Sequence, residues 1–203
     1  MSTTTQTART HWTALRALLV FTVVLGLGYP LAVTVIGQVA MPAQANGSIV
    51  RNADGDVVGS SLIGQSFTDA DGEPLAEWFQ PRPSAAGDGY DGGASSGSNL
   101  GPENEDLIAA ITERKAQVAE FDGVPEAEVP ADAVTASASG LDPHISPAYA
   151  RLQVDRVAAA RDLPADEVAS LVEQHTQGRD LGYLGEPTVN VLELNLALTE
   201  LGR

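Results

Sequence analysis

Between Ala17 and Ile36 the chain reads ALLVFTVVLGLGYPLAVTVI, twenty residues without a single charge. At roughly 1.5 Å per residue, a helix of that length spans about 30 Å, the hydrocarbon thickness of a bilayer. Gly26, Gly28 and Pro30 would weaken such a helix in water. In lipid they are tolerated, because a helix is the one way a lone segment satisfies its own backbone there. Small residues also let membrane helices approach closely, which makes Gly26, Gly28 and Pro30 candidate contact positions. Trp12 stands near the start of the span, where an aromatic ring anchors at the interface. Arg9 and Arg16 precede the span and no acid occurs before Asp54. The positive-inside rule therefore puts the N-terminus in the cytoplasm and the remainder outside. The expected organisation is a cytoplasmic tail (1–14), a transmembrane helix (15–40) and an extracytoplasmic soluble domain (41–203). A cleaved signal peptide is the alternative, with a small-x-small site at Ala43-Gln44-Ala45. Its apolar core would run about 7–15 residues, so length favours a retained anchor. Either way the domain is exported.

Charge separates the two parts further. The net charge is −16, and from Asn46 onward nine bases face 27 acids, with Lys115 the only lysine in the chain. Nucleic-acid binding needs the opposite sign and is excluded. There is no cysteine, which removes disulfides, thiolate catalysis and cysteine-ligated zinc together. An acid-rich surface with little lysine suits high ionic strength, where screening weakens self-repulsion.

The exported part reads as α+β. Asp54-Gly55 is a hairpin signal between Ile49-Val50 and Val57-Val58, and Leu62-Ile63 and Phe67 continue the apolar pattern. Residues 84–101, SAAGDGYDGGASSGSNLG, have no periodicity and form a long loop, a feature often tied to function. A helix follows, with Pro102 at its first position, a stripe of Leu107, Ile108, Ile111 and Val118, and Gly123 as its stop. A second starts with Ser146 as N-cap and Pro147 at N1, and buries Ala150, Val154, Val157 and Ala158. A third runs from Pro164 past Val168, Leu171 and Val172 to Gly178. The last, NVLELNLALTEL, alternates like a strand; its Leu/Glu/Ala content and its Val191, Leu194, Leu198, Leu201 stripe favour helix.

TASASGLDPHIS, residues 135–146, places an aspartate, a histidine and a serine at Asp142, His144 and Ser146. A catalytic triad sets the carboxylate and the serine on opposite imidazole nitrogens, which alternation over five positions does not provide. Ser146 is already explained as a cap, and no Gly-x-Ser-x-Gly elbow is present. His11, His144 and His175 form no metal-spaced pair, and the glycine-rich loop lacks the lysine a phosphate cradle needs. Nothing here points to an enzyme.

Taken in order, SLIGQSF, WFQPRPSA, ASSGSNLGP, TASASGLDPHISP, RVAAAR and GEPTVNVLELNLAL resemble the KdpC family, the C subunit of the Kdp potassium-transporting P-type ATPase. Ser96 stands where that family usually carries glycine, and would be strained if the backbone there were left-handed. The resemblance implies a non-catalytic subunit of a high-affinity potassium uptake complex. Its partners would be a potassium-channel-like subunit, a P-type ATPase subunit and a small hydrophobic subunit. ATP and potassium would be handled by the complex, with no cofactor held by this chain. The family is described as a catalytic chaperone that raises the ATPase subunit's affinity for ATP. With the domain outside, that effect would pass through packing of the membrane helix. The candidate interface residues are then Gly26, Gly28 and Pro30 in the span and Ser95, Ser98, Asn99, Ser137, Ser139, Asp142 and His144 in the two loops. Asp142 is also the carboxylate best placed by motif to steer potassium, with a turn as its competing role. The alternative function is an anchored, exported binding module for a small ligand.

Overall fold

The computed structural model describes residues 3–201 and divides into two compact units, Met1–Ser48 and Ile49–Arg203. In the first, helix α1 (Thr3–Val23) passes through a π-helical turn at Val24–Gly28 into α2 (Tyr29–Ala40), and a short α3 (Pro42–Ala45) follows. The π-turn has a local cause. Pro30 lacks an N–H and its ring would press on the carbonyl one turn back, so the ladder slips by one residue just upstream. Tyr29 N–H accordingly donates to the Val24 carbonyl, five residues earlier. From Gln6 to Ala40 the helix runs 35 residues, about 52 Å, so it outlasts a bilayer core. No side chain on α2 is buried, and Leu18, Leu27 and Ile36 are all more than half exposed. An apolar helix with no covered face belongs in lipid or against other helices.

The second unit is the α+β domain. β1 (Ile49–Arg51) and β2 (Val57–Ser60) form an antiparallel hairpin with a bulge between Val50 and Arg51. Its turn is the expected one: Gly55 takes φ +87°, and the Asn52 side chain accepts from the N–H groups of Asp54 and Asp56. After a long irregular stretch come α4 (Glu105–Asp122), a 3₁₀ turn (Glu126–Glu128), α5 (Ala131–Val134) and β3 (His144–Ile145). Then follow α6 (Pro147–Leu152), α7 (Val154–Ala160), α8 (Ala165–Gln174), β4 (Thr176–Gln177), β5 (Thr188–Asn190) and α9 (Val191–Leu201). β5 is the centre of a three-stranded antiparallel sheet, flanked by β3 and β4. Val157, Val168, Val172, Leu194 and Leu198 close the core against this sheet and Phe79.

Four sequence expectations need correction. Asn104, not Pro102, starts α4: its side chain accepts from the N–H groups of Asp106 and Leu107. Ile108 of the expected stripe is exposed, while Ile111 and Val118 pack on the core. The helix begun at Ser146 breaks at Gln153, whose buried side chain bonds another segment. The third helix ends at Gln174 rather than Gly178, because Thr176 and Gln177 leave it to pair with β5 as strand β4. The C-terminal segment is helical, as its composition indicated, although Leu201 lies exposed.

Candidate functional site

An extended segment, Trp78–Arg82, crosses the domain without belonging to a sheet. Its backbone is nevertheless paired, as buried backbone must be. Asn195 Oδ1 accepts from Phe79 N–H and Asn195 Nδ2 donates to Phe79 C=O, both at 2.9 Å. Gln153 does the same for Gln80, at 2.6 and 3.1 Å. Arg156 donates to the carbonyls of Ala76 and Trp78, and Arg161 to that of Glu77 while lying over the Trp78 ring. The arginines of RVAAAR and the second asparagine of NVLELNLAL, Asn195, are thus spent on fixing WFQPRPSA and the residues just before it.

That segment delivers Arg82 and Ser84 to the place where residues 84–101 meet residues 135–146. The two loops interlock backbone to backbone. Ser96 N–H and Ser95 Oγ both donate to the Ser139 carbonyl, at 3.0 and 2.9 Å. Ser84 Oγ donates to the Gly140 carbonyl at 2.6 Å. Gly140 takes φ +68°, and a Cβ there would stand 2.6 Å from Ser96 O; one at Gly97 would stand 2.8 Å from Ala138 O. Only glycine permits this approach. Ser96 itself is not left-handed: the positive-φ non-glycine residues of this loop are Tyr90 and Asn99. Serine therefore fits the position without strain.

Asp142 organises the far end. Its Oδ1 accepts from His144 N–H at 3.0 Å and lies 3.3 Å from His144 Nδ1, while Oδ2 pairs with Arg82 Nη1 at 3.1 Å. Burial opposes ionisation of this carboxyl, yet the bonds from His144 and the Arg82 charge prevail and hold it below its usual range. Tyr90 donates its hydroxyl to the Arg82 carbonyl, and burial reinforced by the Asp142 charge pushes its pKa far up. It stays a neutral donor.

The hydroxyls serve the backbone. Ser137 Oγ accepts from Gly140 N–H and Ser139 Oγ from Leu141 N–H. Ser146 caps α6 by accepting from Tyr149 N–H, and its own proton goes to Asp132 at 2.9 Å rather than to His144. Asn99 folds its amide onto the Gly97 carbonyl, and Ser98 is exposed. The two loops thus bring Ser95, Ser137, Ser139, Asp142 and His144 into one layer; Gly26, Gly28 and Pro30 lie in the other unit. Among the described residues every buried side-chain polar atom has a partner. Such a layer presents a surface fixed by its own hydrogen bonds. Arg82, Tyr90 and Asp132 were not singled out from the sequence. A tyrosine alone in a Gly/Asp/Ser loop was the available signal, since an isolated aromatic there has to anchor somewhere.

A family profile described as KdpC, K+-transporting ATPase, c chain, matches residues 11–200. A protein named Potassium-transporting ATPase KdpC subunit from Kineococcus radiotolerans is 61% identical over 186 residues, covering 92% of this chain and 91% of its own. Proteins of the same name from Caulobacter vibrioides and Mycobacterium bovis are 56% and 54% identical, each with 90% or more of both chains covered. The matched stretch takes in the apolar helix, the Arg82-bearing segment and both interlocked loops. The chain belongs to the KdpC family, the c chain of K+-transporting ATPases.

Proposed function

We propose that this chain is an accessory, non-catalytic subunit that holds together and stabilises an ATP-driven potassium uptake complex from the outer side of the membrane. Family membership makes it a subunit of a K+-transporting ATPase. The finer reading rests on the interlocked loops, where Ser84, Ser95, Ser137 and Ser139 turn their hydroxyls onto backbone groups and Ser146 onto Asp132. A rigid, internally satisfied surface suits a partner better than a substrate. The anchor supports the same reading. A Cβ at Gly26 or Gly28 would meet nothing closer than 3.6 Å, so the helix itself does not require glycine there. Close approach of a neighbouring membrane helix would. The partners are a channel-like subunit, a P-type ATPase subunit and a small hydrophobic subunit, and the acidic domain caps the potassium entrance. Any influence on ATP affinity then acts through the membrane helix, because ATP is on the other side. Protease added to intact cells stripped of their wall should digest the domain. Cleavage only after lysis would reverse the orientation and put the domain on the side where nucleotide is found.

A further inference from the structure

Arg82, Arg151, Arg156 and Arg179 are matched to Asp142, Glu173, Asp122 and Glu186. Arg114, on α4, is not. Among the described residues its hydrogen bond is a single one, from Nη1 to the Val134 carbonyl at 3.2 Å. Arg114 and Arg82 line an open cleft of about 280 Å³ together with Ser66, Thr68, Ser84 and Tyr90. No acidic residue lines it. The hydroxyls of Ser66 and Thr68 have no partner among the described residues, whereas those of Ser84 and Tyr90 donate to backbone carbonyls. In a chain of net charge −16, this cleft holds the guanidinium of Arg114 without a carboxylate partner, beside Arg82, whose charge is paired with Asp142, and the two exposed hydroxyls. Such a set is complementary to an oxyanion, and the free Nε and Nη2 edge of Arg114 offers the fork that a carboxylate fills.

Size and charge narrow the occupant. At about 280 Å³ the open cleft lies at the lower end of the range of small-molecule sites and readily admits a single carboxylate. A free anion would be repelled by the surrounding acids. A carboxylate carried by a docked neighbour arrives with that neighbour's other contacts, at an effective concentration of millimolar order. We propose that the Arg82–Arg114 cleft receives the carboxylate of an acidic side chain from a neighbouring subunit, with Arg114 as its main partner. The proposal rests on the reading of this chain as one subunit of a complex.

The single lysine makes a direct test available. In Arg114→Lys combined with Lys115→Arg, the cleft holds the chain's one side-chain amine. A water-soluble carbodiimide, which joins an amine to a touching carboxylate, is applied to the purified complex. The expected product links position 114 to an Asp or Glu of another subunit and is absent from Lys115→Arg alone. Arg114→Gln, in parallel, should lower retention of the partner subunits at least threefold in a salt wash. Partners that co-purify normally, with position 114 giving only intrachain links or none, would overturn the proposal and leave the subunit reading intact. Saturable binding of inorganic phosphate to the isolated full chain, lost in Arg114→Gln and unaccompanied by any intersubunit link, would reassign the cleft to a soluble anion and also overturn it. If no partner co-purifies with the unaltered chain, the subunit reading itself falls and the proposal falls with it.

Discussion

Two buried amides, Asn195 and Gln153, do the work a neighbouring strand would do for the segment Trp78–Arg82. Asn195→Ala strips Phe79 of partners for both its N–H and its C=O, in a core where Asn195 is 1% exposed. Each stranded group costs about 1–3 kcal/mol, so the substitution should destabilise the domain by about 2–6 kcal/mol in denaturant titration. Asp142 acts at the same scale through charge. Its carboxyl is held below the ordinary value of 3.8, so the stability it adds is present above that pH and is lost as pH falls through the folded-state value. Asp122, raised by burial against the pull of Arg156, has the opposite sign: its contribution favours the folded state below pH 3.8 and is lost as pH rises. Asp142→Asn should therefore be less stable than the unaltered protein at pH 7, with the gap closing toward pH 3. An equal gap at both would assign the loss to shape rather than ionisation. Asp142 was legible from the sequence as a turn residue before proline. Arg82, its ion partner sixty positions away, was not, because no local pattern encodes a contact between two loops.

Helices and strands were legible where the chain's own periodicity set them, and were misread where contacts with other segments intervened. Val168, Leu171 and Val172 marked the buried face of α8 correctly. Its end lies at Gln174, four residues before the glycine that looked like a stop, because Thr176 and Gln177 join the sheet. α6 and α7 meet at a tightened turn, where Gln153 N–H donates to the Ala150 carbonyl and its side chain is buried against Gln80 and Arg156. β3 was hidden because two residues paired with β5 are too few to make a pattern. In the membrane-type helix the twenty-residue run was plain, but the π-turn ahead of Pro30 was not. The geometry there separates two roles for its glycines. Gly26→Ala with Gly28→Ala adds methyl groups that meet nothing within the chain nearer than 3.6 Å, so the pair should leave the chain folded and inserted and lower recovery of partners only modestly. Gly26→Leu with Gly28→Leu should still insert, yet lower co-purification of partner subunits severalfold. Equal recovery from both pairs would mean that no neighbouring helix packs at this turn.

Across the whole molecule, the apolar anchor and the acidic domain form separate compact units, and the family match runs through both. The boundary after Ser48 lies close to the change in charge seen in the sequence, since both record where the chain stops being apolar and starts to build an aqueous surface. Inside the domain the motif residues mostly hold the fold: RVAAAR and NVLELNLAL clamp WFQPRPSA, which in turn positions the two glycine-serine loops. The remaining residues present surface and charge to whatever meets the domain. The account therefore stands or falls on partners. A tagged full-length chain is drawn from detergent-solubilised membranes of its own host, grown with little potassium, and every co-purifying protein is identified by mass spectrometry. The channel-like and P-type ATPase subunits should be recovered in a fixed ratio to the chain, with ATP hydrolysis in the same fraction. Recovery of the folded chain alone, with those subunits present in the membrane but absent from the eluate, would contradict it.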